Sequence, residues 1–170
     1  VHATHVHETA DLVGGWGANS FTNGVNPTYQ ALVRRRIAEA VREAVGAVKP
    51  ARLTIGSVRV EDAGKELKRY VNDVRDPVVI DNTLHTLQFL DIGTTPPQPI
   101  ATVVNWAHHP ESIGDKNHEI SSDFPNYLRA ELESKGAGTV VYISGALGGQ
   151  IGPSGVQPMN EKTMMPVTSA

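Results

Sequence analysis

Thr139-Val140-Val141-Tyr142-Ile143, running directly into Ser144-Gly145-Ala146-Leu147-Gly148-Gly149-Gln150-Ile151-Gly152-Pro153, decides the fold class. The first five residues are all β-branched or aromatic and carry no charge, which predicts a short strand buried on both faces. Glycines directly after such a strand let backbone approach a ligand closely. A tight turn at a sheet edge uses the same residues, and the sequence leaves both readings open. Upstream, Asp123 is a candidate cap for a helix with Phe124-Pro125 in its first turn and Leu128 and Leu132 on its inward face; Gly136 is a natural stop. Residues 100–107, 84–92 and 52–60 read as strands, the last alternating Leu53 and Ile55 with Thr54 and Ser57. Thr94 to Pro99 is a turn broken by Pro96-Pro97.

Further out, Asn26-Pro27 opens a helix over 28–48, with Asn as cap and Pro at the first position. Val33, Ile37, Val41, Ala44 and Val48 form its apolar stripe, and Pro50 ends it. Gly14-Gly15-Trp16-Gly17 through Asn26 is a loop. Residues 1–7 look like the end of a strand, and residues 154–170 like loop or tail. The class is therefore mixed α/β: a mixed β core flanked by helices. The 170 residues are long enough for a real core and are expected to belong to one domain.

Composition narrows the functions. The net charge is −3, and the one basic run, Arg34-Arg35-Arg36, lies inside a helical pattern as a solvated face, which argues against nucleic acid. No apolar run is long enough to span a membrane. The chain has no Cys, so no disulfide framework is possible. It lacks an initiator Met and opens inside an apparent strand, so it is expected to be part of a longer polypeptide.

Two histidine sites carry the chemistry: Thr4-His5-Val6-His7 at the start, and Asn105-Trp106-Ala107-His108-His109-Pro110 at the end of a strand. Imidazole is the commonest ligand for a transition metal near neutral pH. In a strand, residues two apart share a face, so His5 and His7 would point at one spot. Both could bind one metal, or one could bind while the other handles protons; a plain surface or core pair is the alternative. Zinc held by three protein ligands activates water and polarises an amide carbonyl, which suits hydrolysis. Asp123 is either a helix cap or the partner of a ligand imidazole. Glu8 reads as structural. His2 is expected to be solvated, His85 a core or surface residue, His118 a loop residue, and Trp16 and Trp106 core or pocket wall.

Four blocks, in order, resemble the N-terminal catalytic region of neutral/alkaline non-lysosomal ceramidases and their bacterial relatives. They are Thr4-His5-Val6-His7; Leu87-Gln88-Phe89-Leu90-Asp91; Asn105-Trp106 through His109-Pro110 with Asn117 to Asp123; and Val140 to Pro153. The resemblance implies one zinc held by two histidines, a glutamate and a tyrosine, and hydrolysis of N-acylsphingosine to fatty acid and sphingosine. It assigns His5 and His109 as metal ligands, with His108 as the alternative to His109 because this segment is one residue short. It places His7 near the scissile bond as a catalytic residue and matches Arg69 to an active-site arginine. The glutamate and tyrosine ligands would come from the remainder of the protein's own chain. The implied partner is a small-molecule or lipid amide, and a bacterial member would be secreted or periplasmic.

The chain also departs from that pattern. Glu8-Thr9-Ala10-Asp11 stands where ceramidases carry Ser-Gly-Pro-Gly. Gly152 stands where the family has a catalytic serine, Gln150 where it has an acid, and Ser154 falls after the proline. Either activated water does all the nucleophilic work, or the substrate differs, or activity is lost. Backbone N–H groups of the 145–153 turn are expected to face the metal and stabilise an oxyanion. Two alternatives remain: a non-catalytic member that keeps the fold for binding, and a metallo-β-lactamase-type hydrolase. The second is disfavoured because the Asp-His pair such enzymes carry after their second histidine is missing.

Overall fold

The computed structural model describes residues 2–65, 70–73, 75–114 and 117–152. The chain divides into two compact units: Thr9–Lys49, and His2–Glu8 together with the residues from Pro50 onward.

The first unit is a loop followed by helix α1, Pro27–Gly46. The Asp11 carboxylate organises the loop by accepting the N–H groups of Val13, Gly14 and Trp16. Helix α1 begins as its local chemistry dictates. The Asn26 side chain accepts the Tyr29 N–H at 3.1 Å, and Pro27, which has no N–H to lose, occupies the first turn. No residue of α1 is buried, and Val48 of the expected stripe lies beyond its end.

The second unit holds strands β1 (Ala51–Arg59), β2 (Asn72–Asp73), β3 (Thr83–Asp91) and β4 (Gln98–Trp106), helix α2 (Asp123–Ser134), and strands β5 (Thr139–Ser144) and β6 (Gln150–Ile151). Four strands form one sheet in the order β1-β3-β4-β5, and β2 and β6 form a separate two-stranded ladder. The β1–β3 and β3–β4 pairs are antiparallel. β4 and β5 are parallel, with α2 in the connection between them. The mixed α/β class read from the sequence is the class observed.

The core lies between one face of the sheet and α2. Val104, Val140 and Tyr142 are buried there, packed with Leu84, Trp106, Phe124, Leu128, Leu132 and Ala137. Leu128 and Leu132 are the inward face expected of α2, and Gly136, at φ +82°, takes the left-handed position just past the helix that other residues resist. β5 departs from expectation. It is buried on one face only: Val140 and Tyr142 point into the core, while Val141 is 42% exposed. A β-branched run without charges does not distinguish one covered face from two. β1 is an exposed edge, with Ile55 71% accessible. Among the described residues no helix is long and apolar enough to cross a membrane.

Candidate metal centre

β4 ends at Trp106 and delivers Ala107-His108-His109-Pro110 into the interior, where all four residues are buried. The two histidines have opposite fates. His109 donates its backbone N–H to the Gln150 carbonyl at 3.2 Å, and its ring Nδ1 lies 2.7 Å from the same oxygen. A carbonyl only accepts, so Nδ1 carries the ring proton and Nε2 keeps a free lone pair. In His108, Nδ1 faces the His109 carbonyl at 2.5 Å and Nε2 faces the Tyr70 carbonyl. Both nitrogens are turned to acceptors, and the ring packs between Trp106 and Phe124, at centroid distances of 4.9 and 4.8 Å. Burial pushes the His108 pKa down. His109, not His108, presents a nitrogen to a ligand.

The other histidines arrive on an arm. Residues 2–8 pair with no strand, so the expected strand end is not formed. The arm is tied down by Ser144, whose hydroxyl donates to the Thr4 carbonyl (2.8 Å) and whose N–H donates to His2 Nε2 (3.0 Å), and by the Ser121 N–H on the Glu8 carbonyl (3.0 Å). His2 is exposed, as expected, and its Nε2 also serves as an acceptor for the arm. His5 sits at φ +67°, a left-handed conformation costing a non-glycine residue about 1–3 kcal/mol and found mostly where function holds it in place. Strand alternation does not bring His5 and His7 together; this turn does.

The result is a cluster of three rings. Centroids are 4.8 Å apart for His5–His109, 5.1 Å for His5–His7 and 5.5 Å for His7–His109. One ligand nitrogen from each lies within 4.8 Å of the other two. Burial, then the neighbouring His109 and His7, lowers the His5 pKa, with Glu111 opposing. That favours the neutral imidazole, the form that binds metal. Three such rings, one with its tautomer fixed by Gln150, suit zinc, which takes histidine nitrogens in four-coordinate sites.

Two groups at the site had no sequence assignment. Glu111 brings a carboxylate oxygen to 3.5 Å from His7 Nδ1 and accepts the Gly152 N–H at 3.1 Å. Its position two residues past His109 was the available signal. The second is the Gln150 carbonyl, invisible in sequence because every residue has one. β6 places it, held by the ladder to β2. The Gln150 side chain accepts the Asp81 N–H and donates to the Ala146 carbonyl. Beside it, Asp73 accepts the Arg75 guanidinium and the Arg75 and Val79 N–H groups. That hydrogen bonding, Arg75 foremost, holds the Asp73 carboxyl far below the usual carboxylate range. A Cβ on Gly149 would stand 2.3 Å from Arg75 Nε, so this glycine admits the ion pair rather than a ligand.

Several expectations are revised by these contacts. Asp123 serves the start of α2 and, among the described residues, makes no hydrogen bond to an imidazole. Fully buried at φ +50°, it accepts the Ile113 and Phe124 N–H groups and fastens the loop after Pro110 to α2. The N–H groups of Gly145, Leu147, Gln150 and Gly152 are already donated, to Trp106, Gly145, Leu147 and Glu111. Among the described residues, the turn's contact with His109 is made by backbone, the Gln150 carbonyl. His85 and His118 are exposed and stand outside the cluster. Arg69, Pro153 and Ser154 lie outside the described residues.

Solved structures share this architecture. A neutral ceramidase from Pseudomonas aeruginosa superposes with a TM-score of 0.62 at 18% identity, over 80% of this chain and 23% of that one. A ceramidase complexed with C2 superposes with a TM-score of 0.70, also at 18% identity, over 92% of this chain and 26% of that one. The fold is ceramidase-like. At this identity the likeness speaks for the fold alone, and the chain spans about a quarter of either ceramidase. No family model and no curated protein sequence matches the chain.

Proposed function

We propose that this chain carries part of the active site of a zinc-dependent hydrolase acting on an amide, with an N-acylsphingosine-like lipid as the substrate class. The observation that carries the reading is the convergence of His5, His7 and His109, drawn from segments about a hundred residues apart, with the His109 tautomer set by Gln150. The ceramidase-like fold supports the substrate class.

His5 and His109 would hold the ion, together with ligands from elsewhere in the protein. Zinc, when bound, polarises the amide carbonyl and makes water a competent nucleophile near neutral pH. His7 stands beside both ligands and is half exposed, so it can take a proton from attacking water and return it to the leaving nitrogen. By the resemblance, Arg69 matches an active-site arginine and would be a second catalytic residue. Gly152 supplies no hydroxyl, and among the described residues a Cβ there would meet only Glu111 Cγ at 3.8 Å, ordinary contact. A serine therefore fits. The missing hydroxyl also favours a second reading, in which the fold binds its lipid without cleaving it.

The test is fatty-acid release from N-acylsphingosine by the intact, zinc-loaded protein, beside His5→Ala, His109→Ala and Gly152→Ser. Turnover by the wild type, abolished in both histidine variants, is the expected result. Stoichiometric zinc with no turnover by the wild type or Gly152→Ser would rule out ceramidase activity and favour the binding reading. Absence of zinc would remove the hydrolase reading itself.

A further inference from the structure

Glu111 is held in place from both ends. Its N–H donates to the His109 carbonyl (3.0 Å) and its own carbonyl accepts the Gly114 N–H (3.2 Å), so the backbone beside His109 is fixed before the side chain is considered. The side chain is 26% exposed and reaches back over the histidines. Among the described residues its carboxylate meets the His7 ring at 3.5 Å and the Gly152 N–H at 3.1 Å, with no Lys or Arg against it. The chemistry parallels that of His109. There the ring nitrogen away from the cluster is covered by a carbonyl; in His7 the Nδ1 nitrogen faces a carboxylate.

We propose that Glu111 is the positioning residue of His7: one carboxylate oxygen takes the Nδ1 proton, the other takes the Gly152 N–H, and the Nε2 lone pair is left for the reacting centre. The inference rests on the hydrolase reading above and adds a residue to it. An imidazole has two tautomers, and only one presents its lone pair at Nε2; a carboxylate on Nδ1 selects that one. The 3.5 Å separation is longer than a hydrogen bond but within ion-pair reach, with the ring nitrogen turned to the carboxylate. Because the same carboxylate grips Gly152, the Gly-rich turn and the proton-handling histidine are fixed by one group.

The experiment reads the His7 ring directly, by long-range ¹H–¹⁵N NMR of the intact protein, with and without zinc, in wild type, Glu111→Gln and Glu111→Asp. Zinc affinity is measured alongside by competition with a chromophoric chelator. In the wild type His7 is expected as the Nδ1–H tautomer. Glu111→Gln keeps the shape but has one acceptor oxygen for two donors. It should lose the single tautomer while zinc affinity, set by His5 and His109, stays near the wild-type value. Glu111→Asp should restore the tautomer in part. A wild-type His7 protonated at Nε2, or a Glu111→Gln variant with an unchanged tautomer, would overturn the proposal. The wild-type spectrum decides even if a variant fails to fold. A wild type that binds no zinc, yet shows the Nδ1–H tautomer and loses it in Glu111→Gln, would overturn the zinc reading and support the role of Glu111.

Discussion

The two segments that meet at the histidine cluster are built differently. Residues 107–110 form a buried shelf continuous with β4, where both ring nitrogens of His108 and Nδ1 of His109 face backbone carbonyls. Residues 2–8 form an arm without secondary structure, fastened by Ser144 and Ser121, with His5 held in a left-handed conformation. The shelf is what the fold makes anyway; the arm is arranged chiefly for its two rings. Changes on the shelf should therefore move stability and metal binding together, whereas changes on the arm should move metal binding alone.

The sharpest break of that contrast compares His109→Ala with His5→Gly. Both should reduce zinc affinity by more than the roughly 100-fold upper cost of losing an outer partner. His109→Ala should also destabilise by about 2 kcal/mol, since it leaves a cavity and strips a donor from the Gln150 carbonyl. His5→Gly should hold or raise stability by up to about 1 kcal/mol, because glycine tolerates φ +67°. Thermal denaturation without metal reads the difference; equal losses of stability would erase the distinction between shelf and arm.

Acid sensitivity probes the shelf's support. The Asp73 carboxyl is depressed in the folded state by Arg75 and backbone N–H groups. Its contribution to stability is therefore present above the unfolded pKa of about 3.9 and lost as pH falls below it. Asp73→Asn should lower stability at neutral pH and flatten the loss between about pH 4 and pH 2. Parallel acid-unfolding curves for the two proteins would show that the ion pair contributes nothing.

Smaller effects test the fastenings. Ser144→Ala removes the hydroxyl that holds Thr4 and should weaken zinc by about tenfold while leaving the melting temperature nearly unchanged. In β5, away from the shelf itself, Tyr142 donates its hydroxyl to the Trp106 carbonyl at 3.1 Å, and burial keeps that hydroxyl protonated. Tyr142→Phe should cost about 1 kcal/mol in chemical denaturation, one hydrogen bond's worth, with zinc affinity unaltered.

What the sequence revealed follows the same division. Asn26-Pro27 announces α1 because a cap is local chemistry, and the four long strands announce themselves by alternation or β-branching. β2 and β6 do not, since a two-residue strand has no period and its partner is far along the chain. The histidines of the cluster were legible as candidate ligands of one centre, but the left-handed turn at His5 that sets their geometry was not. The arm mimics a strand in pattern and lacks the neighbour that would make it one. His108 and His109 are identical letters; only the carbonyls of Tyr70 and Gln150 tell them apart. Glu111 stands two residues past His109, where a carboxylate after proline is ordinary on a surface and its sequence position alone does not mark it.

The packing of Trp106 against His108 gives the shelf an optical signature. The chain's other tryptophan, Trp16, is 78% exposed. A water-soluble quencher such as iodide reaches the second indole and is largely denied the first. The emission that survives it comes from the ring stacked beside the paired histidines. Its wavelength and intensity then gauge the integrity of the shelf in every variant described above, whether or not an ion is held.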